Sequence, residues 1–418
     1  MSIIFVPIVA RYLIETFYDK VRNKGGLYDA AKRMADEQSL SIKGVSEKFR
    51  SLIGTSDLSE YEAKILRVEV ISKKDLGDKT LYLGIVEIAY PDVHFLPGAS
   101  FMNILTYVVG DLMDSVYLKS IRLLSVDFSE ALLNIFGGPK KADDLRKLRG
   151  KGPYLALIMK PSLGLSPEQY AKISYHVAKA GIHMITDDEK LADPSYCRRI
   201  ERAREILRAI RKAGSHTVYF VNASSIRPVE AISKILEELD TERLGVLIPS
   251  TYSGYDVIND VRREFDIPIY TRNSGFSTLT EGPRSVSHEV LAYLERVAGS
   301  DIVQIPPPVG VHKKDIELVI AAKKALEKDI GIMRSIPLIG AGIHPTRAYR
   351  AVSLGFKDVI FLVGGAIVGH PHGPEAGVKA MFDAFEGALE GKSVNDLIEE
   401  SEAFREAYEK RGERDDRA

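Results

Sequence analysis

The chain has no tryptophan, a single cysteine and no excess of charge of either sign. One cysteine excludes an intrachain disulfide and any multi-cysteine metal site. That residue, Cys197, sits in the amphipathic run PSYCRRIERAREIL and reads as a small buried side chain. Lys and Arg number 57 against 58 Asp and Glu, and no dense basic block is interleaved with aromatics, so nucleic acid is not an expected partner. Apolar runs such as Val359–Val368 fall well short of the roughly 20 residues that span a bilayer. The N-terminal MSIIFVPIVARYLIETF has no basic leader or small-residue cleavage site and is interrupted by Arg11 and Glu15. It is expected to be the first strand of a cytoplasmic protein, with no membrane partner.

What is present is a strong rhythm. A length of 418 residues exceeds one ordinary core, which predicts a large domain and a smaller one. From Tyr154 onward, short apolar runs alternate with longer helical patterns, the mark of βα units around a parallel sheet. Eight strands are predicted, over Tyr154–Lys160, Ile182–Glu189, Thr217–Ser224, Leu244–Ser250, Pro268–Asn273, Asp301–Pro307, Pro337–Gly342 and Asp358–Gly365. Helical patterns such as Ser166–Ala180, Asp315–Lys328 and Pro374–Leu389 separate them. The expected fold is α/β, a C-terminal (β/α)8 TIM barrel over 154–418 that ends in a charged, solvated helical tail from Lys392. Residues 1–135 break the rhythm, with strands over Ile3–Ile14, Ala63–Ile71, Thr80–Ala89 and Ser120–Asp127 and helices over Gly26–Asp36 and Ser100–Met113. They read as an α+β domain, and 136–153, rich in Gly, Pro, Lys and Asp, as a linker.

Barrels of this kind carry their chemistry at the C-terminal ends of the strands. Lys160 closes the first strand in IMKPSLGLS, and an amine ending an otherwise apolar strand is suited to proton transfer. Thr186-Asp187-Asp188-Glu189 closes the second; its carboxylates offer the hard oxygens that magnesium takes, although consecutive acids also cap helices or face solvent. Gly340-Ala341-Gly342-Ile343-His344 closes the seventh and Gly364-Gly365 the eighth. Chain without Cβ lets backbone N–H groups approach an anion at a helix N-terminus, and barrels commonly bind phosphate at this corner. His344, His370 and His372 lie near it in sequence, with no third metal ligand close by, and read as structural or supporting residues.

The stretch Phe136-Gly-Gly-Pro through GKGPYLALIMKPSLGLSPEQYA, followed by ITDDE, VNAS, GAGIHPTRA and VGGAIVGHPHG, resembles the large subunit of ribulose bisphosphate carboxylase in order and spacing. Weaker similarity reaches MADEQS and MNILTYVVGD. The resemblance implies a ferredoxin-like N-terminal domain and a homodimer in which Glu37 and Asp111 of the partner subunit complete each barrel site. It also implies Arg272 as a phosphate-binding residue and magnesium held at Asp188 and Glu189.

The departures from the family pattern are as informative. Thr186 stands where the carboxylase has the lysine whose carbamate ligates magnesium, so magnesium is expected to bind weakly or only with substrate. The Lys-Pro-Lys motif reads Lys160-Pro161-Ser162, the Gly-Lys pair of the sixth loop reads Gly310-Val311 with Lys313 and Lys314 following, and Thr271 and Gln304 replace histidines. Asp111 replaces an asparagine. This pattern resembles the RuBisCO-like, non-carboxylating branch, whose members enolise or isomerise phosphorylated ketose-like metabolites. The expectation is an enolase or isomerase with Lys160 as the proton-transfer group and Arg272, Gly340, Ala341, Gly342, Gly364 and Gly365 around the phosphate. The alternatives are a Schiff-base lyase or aldolase using Lys160, and a non-catalytic protein that binds a phosphorylated metabolite.

Overall fold

The computed structural model describes residues 7–40, 46–54, 58–147, 152–310 and 313–411. The chain forms two compact units, one of residues up to Gly137 with Gly275–Leu294, the other of Gly138–Ser274 with the residues from Glu295 onward.

The first unit is built on a mostly antiparallel sheet. Its strands are β1 (Ile8–Asp19), β2 (Lys24–Gly25), β3 (Lys64–Asp75), β4 (Lys79–Tyr90) and β5 (Leu118–Asp127). β1 lies between β4 and β5, and its residues alternate between buried and partly exposed, with Ile8, Ala10, Tyr12 and Ile14 fully buried. That period of two is what a sheet with one covered face requires. The helix Leu27–Glu37 supplies Ala30, Ala31 and Met34 to the core, and Phe101–Val108 supplies Phe101 and Ile104. Beneath them the Tyr12 hydroxyl donates to the Val108 carbonyl at 2.8 Å and meets the Tyr90 hydroxyl at 3.0 Å. The three-residue β11 (Arg284–Val286), which the sequence reading did not foresee, lies parallel to β5 and extends this sheet.

The second unit is the expected barrel. Its strands are β6 (Tyr154–Ile158), β7 (Met184–Thr186), β8 (Val218–Asn222), β9 (Leu244–Pro249), β10 (Ile269–Arg272), β12 (Ile302–Ile305), β13 (Ile336–Ile339) and β14 (Ile360–Val363). They close in the order β10-β12-β13-β14-β6-β7-β8-β9, all parallel. Every predicted barrel strand is present, each shorter than predicted. Lys160, Asp188 and Glu189, assigned to strand ends, lie beyond the ladder. Alternate side chains, among them Tyr154, Ala156, Ile158, Met184, Phe220 and Leu247, pack together as the barrel interior, so the barrel is a filled core and not a pore.

Two expectations change. The 136–153 segment contains the helix Ala142–Lys147, and its Ala142 and Leu145 join the same apolar cluster as Tyr154 and Ile336. The segment is therefore packed against the barrel core rather than a bare connection. The tail is not wholly solvated either: it forms helices Val394–Glu400 and Glu402–Arg411, and Phe404 is fully buried with Leu397 and Ala384. Among the described residues no helix is long and apolar enough to cross a membrane.

Candidate active site

Strand register decides which polar residues reach the barrel mouth. Ile158 of β6 pairs across to Thr186 of β7, and Thr186 to Phe220 of β8. Ile158 and Phe220 point into the barrel, so Thr186 points inward with them. It is fully buried, and its hydroxyl donates to the Asp187 carbonyl at 3.1 Å. Two residues further along each strand the same parity brings Lys160, Asp188 and Asn222 to the next layer, at the mouth.

That layer holds the tightest polar cluster of the mouth. Lys160 Nζ lies 2.6 Å from Asp188 Oδ2 and donates to Ser162 Oγ at 2.6 Å, while Ser162 Oγ donates to the same Asp188 oxygen at 2.8 Å. The Asp188 side chain is only 3% exposed, the Lys160 side chain 35%. Burial pushes the Asp188 carboxyl up, but the hydrogen bonds from Lys160, Ser162 and the Lys190 N–H outweigh it and hold the carboxyl below its ordinary value. The lysine expected to end an apolar strand therefore stands in an ion pair instead. Ser162, which the sequence comparison marks only as the loss of a lysine, is an integral member of the cluster.

Asp187, one residue off in parity, faces the other way. It is fully buried, pairs with Arg202 at 2.9 Å, and accepts from the Tyr219 hydroxyl at 2.6 Å and the Asn222 N–H at 2.9 Å. It anchors β7 and β8 to the helix Arg199–Lys212, and it contributes no oxygen to the mouth. Cys197 is buried beside this pair, as expected, and its carbonyl accepts from Arg202 at 2.8 Å.

Glu189 turns toward β10. Its Oε2 lies 2.7 Å from Arg272 Nε, and its Oε1 accepts from Ser274 Oγ at 2.9 Å. The Arg272 contact is an ion pair that lacks hydrogen-bond alignment, so Glu189 Oε2 has no hydrogen-bond donor among the described residues. Asn222 fixes the backbone of this turn, since its Nδ2 donates to the carbonyls of Asp188 at 3.2 Å and Glu189 at 2.9 Å. Asn222 and Ser274 were not singled out from sequence. Strand parity along β8, which ends at Asn222, would have found the first.

Thr271 lies outside the mouth. Tyr270 is in the barrel interior, so Thr271 points outward, where its hydroxyl donates to the buried Glu295 at 2.6 Å. Gln304 does follow interior parity; it is 7% exposed, and its Oε1 has no donor among the described residues. Val311 lies outside the described residues. Lys313 and Lys314 follow in a turn closed by their N–H groups on the carbonyls of Gly310 and Pro307, at 3.0 and 3.1 Å.

The glycine corner is arranged as follows. Ala341 and Gly342 both take left-handed conformations, with φ of 73° and 75°, which bend the chain sharply between β13 and the helix Pro345–Ser353. The bend is held by Arg347, which donates to the Gly342 carbonyl at 2.8 Å. Gly340 and Gly364 directly follow β13 and β14. A Cβ on Gly364 would meet Lys160 Cγ at 3.0 Å and Ile158 Cγ2 at 3.1 Å. The missing side chain at 364 thus makes room for the Lys160 stem, a reason sequence reading did not supply. Gly365 opens the short helix Gly365–Val368.

In the first unit, Glu37 ends its helix, is exposed and accepts from the Tyr117 hydroxyl at 2.8 Å. Asp111 is exposed at the start of the turn Asp111–Asp114. The histidines of the glycine corner serve structure in the second unit. His370 Nε2 meets the Ala403 carbonyl at 2.9 Å and its Nδ1 accepts from the His372 N–H, while His372 faces Glu406 at 3.1 Å. The tail thus brings a carboxylate to this pair that is invisible in local sequence, but both ring nitrogens of His370 are already engaged.

The donor set does not fit a preformed magnesium centre. Its two carboxylates are each matched by a cation of the protein, Asp188 by Lys160 and Glu189 by Arg272. Thr186 adds no ligand, and no cluster of three His, Cys, Asp or Glu residues suited to a metal occurs among the described residues.

The catalytic-domain model of the ribulose bisphosphate carboxylase large chain matches residues 131–410. The chain belongs to this family. Among similar family members, a ribulose bisphosphate carboxylase of Archaeoglobus fulgidus is 27% identical over 381 residues, covering 84% of this chain and 85% of its own. A ribulose bisphosphate carboxylase-like protein of the same organism is also 27% identical, over 406 residues, 91% of this chain and 88% of its own. The dimeric archaeal Rubisco from Hyperthermus butylicus superposes with a TM-score of 0.81 at 25% identity, over 97% of this chain and 96% of the other. Carboxylases and carboxylase-like members are equally similar, so the residues at the mouth carry the functional argument.

Proposed function

We propose that this RuBisCO-family chain is a RuBisCO-like enolase or isomerase that moves a proton next to the carbonyl of a phosphorylated, ketose-like metabolite, and that it does not fix carbon dioxide. The observation that carries this reading is the Lys160–Ser162–Asp188 cluster at the mouth, one layer above a buried Thr186. A threonine hydroxyl forms no carbamate, and here it is sealed inside the barrel. Family membership and an enzymatic fold are common to carboxylases and non-carboxylating relatives; the choice between them rests on these side chains.

At rest the pair is a Lys160 ammonium and an Asp188 carboxylate. To act as a base, Lys160 must first release a proton. A substrate group that enters between the two separates the charges and displaces water, and both changes favour a neutral amine. The proton leaves through the Ser162 hydroxyl, which accepts it from Lys160 and passes its own proton to the Asp188 carboxylate, and the amine then takes the proton from carbon. Arg272 supplies fixed positive charge for the enolate or phosphate oxygens. Gln304 Oε1, a buried acceptor with no donor among the described residues, suits a hydroxyl of a sugar-like ligand. The bend at Ala341-Gly342 leads into the helix Pro345–Ser353, whose N-terminus carries no side-chain cap, a setting in which backbone N–H groups receive phosphate. Magnesium has no part in this scheme in the free protein. The chain forms a homodimer in this reading, as the archaeal relative does, and the family pattern assigns Glu37 and Asp111 of the partner subunit to the mouth.

The test is a thermal-shift screen of phosphorylated ketoses and sugar acids, with and without magnesium, followed by proton NMR in deuterated water on each ligand that stabilises the protein. Deuterium is expected at the carbon beside the carbonyl. Incorporation of labelled bicarbonate into product would overturn the reading.

A further inference from the structure

Away from the residues discussed so far, a cavity of about 370 Å³ lies between the turns that follow β7 and β8. Two helices start there. Arg198 and Arg199 open Arg199–Lys212, and Arg227 precedes Pro228–Glu238. The N-terminus of Pro228–Glu238 carries no side-chain cap and directs partial positive charge into this space, whereas the first N–H of Arg199–Lys212 is already taken by a carboxylate. Lys234 lines the cavity as well, together with the carboxylates Asp193 and Glu230. Asp193 accepts the Arg199 N–H at 2.7 Å and pairs with Arg198 at 3.0 Å, and Glu230 pairs with Arg227 at 2.9 Å. Four cationic side chains (Arg198, Arg199, Arg227, Lys234) less two carboxylates leaves two positive charges unmatched.

Arg199 supplies the independent sign of a ligand. It lines the cavity and is only 7% exposed, with Nη2 donating to the Ser224 carbonyl at 2.6 Å. Its Nε is buried and has no hydrogen-bond partner among the described residues. A buried guanidinium with an unused donor is costly, and an anion that accepts from it removes that cost. Burial also pulls this guanidinium below its ordinary pKa, the sign of a charge short of compensation. The remaining wall is apolar, formed by Ile200, Ala231, Ile235 and Ile226, the last 99% exposed at the lip.

We propose that this cavity is a second small-molecule site, separate from the barrel mouth, which takes a phosphomonoester bearing an apolar or aromatic group. Phosphate alone would leave most of the volume empty, and the cavity falls within the roughly 300–1,000 Å³ typical of small-molecule sites. The phosphate accepts from the Arg199 guanidinium and the N–H groups that begin Pro228–Glu238, and the apolar group covers Ile226. The backbone joins this site to the mouth: Arg199 holds the Ser224 carbonyl, the Ser224 N–H donates to Asn222 Oδ1 at 2.8 Å, and Asn222 holds the turn at Asp188 and Glu189.

The proposal stands whether or not the enolase reading holds. Its test is calorimetric titration of the full chain at low ionic strength with phenyl phosphate and with inorganic phosphate. Three proteins are compared: the natural chain, the double variant Arg227→Glu/Lys234→Glu, and Arg272→Met. Arg227 and Lys234 are exposed, so the double variant keeps the fold, as a thermal melt would verify. Phenyl phosphate is expected to bind the natural chain more tightly than inorganic phosphate. Its binding should weaken at least tenfold in the double variant and persist in Arg272→Met. Equal affinity in the double variant, loss of all binding in Arg272→Met, or no binding to the natural chain at millimolar ligand would each overturn the proposal.

Discussion

Glu295 offers a test of the barrel's strand parity that needs no substrate. It is fully buried, accepting from Ser250 Oγ at 2.8 Å and Thr271 Oγ1 at 2.6 Å, and no cation pairs with it in these contacts. Burial pushes its carboxyl up to about 7 from an ordinary 4.5, against the opposing pull of the two hydroxyls. Below pH 4.5 the folded and unfolded chains both keep this proton. As pH rises, the unfolded chain ionises first, so stability falls until the folded group also ionises near pH 7. A shift from 4.5 to about 7 at about 1.4 kcal/mol per unit gives roughly 3 kcal/mol in full, most of it lost between pH 5 and pH 8. Glu295→Gln keeps an acceptor for Ser250 and Thr271 and removes the titration. Urea unfolding at pH 5 and pH 8 should show the variant gaining roughly 2 kcal/mol on the natural chain as pH rises. An identical pH dependence in the two proteins would refute the reasoning, because Thr271 and Glu295 would then not face each other outside the barrel.

Three further outcomes follow from the mouth. Gly364→Ala pushes a methyl group against the Lys160 stem; the stem is flexible, so stability should fall by only about 1 kcal/mol, while a displaced amine should slow proton exchange roughly 100-fold with ligand binding retained. Binding lost with exchange intact would instead make Gly364 a phosphate residue. Calorimetric titration of the free protein with magnesium should show no tight site; Thr186→Lys should strengthen magnesium binding in bicarbonate without yielding a carboxylase, and tight binding by the natural chain would contradict the charge matching at Asp188 and Glu189. Sedimentation at micromolar concentration should show a dimer, and a fully active monomer would remove Glu37 and Asp111 from the account.

The eight barrel strands were legible because apolar runs of four to six residues recur between amphipathic helices, and closure follows from their number. The division of labour within Asp187-Asp188-Glu189 was not. Composition makes the three equivalent, and only the alternation of the strand sends Asp187 back to Arg202, Asp188 to Lys160 and Glu189 across to Arg272. Partners remote in sequence were equally hidden. Thr271 looks like a mouth residue until Glu295, 24 positions on, is seen to hold it outside. The three residues of β11 are too few to show a period, and the helix Ala142–Lys147 lies in a stretch whose Gly and Pro content reads as linker. Gly364 was noticed for its absent Cβ, and the structure adds a neighbour that the sequence does not show, the Lys160 stem.

The central claim is that Lys160 moves the proton. Lys160→Met keeps most of the volume and removes the amine, and the decisive measurement is deuterium incorporation from solvent at the carbon next to the carbonyl of a ligand that the protein binds. The rate should fall by roughly 100- to 10,000-fold, as expected for loss of a general base, while the ligand still raises the melting temperature. Unchanged incorporation in Lys160→Met would place the base elsewhere and leave the Lys160–Asp188 pair a structural ion pair.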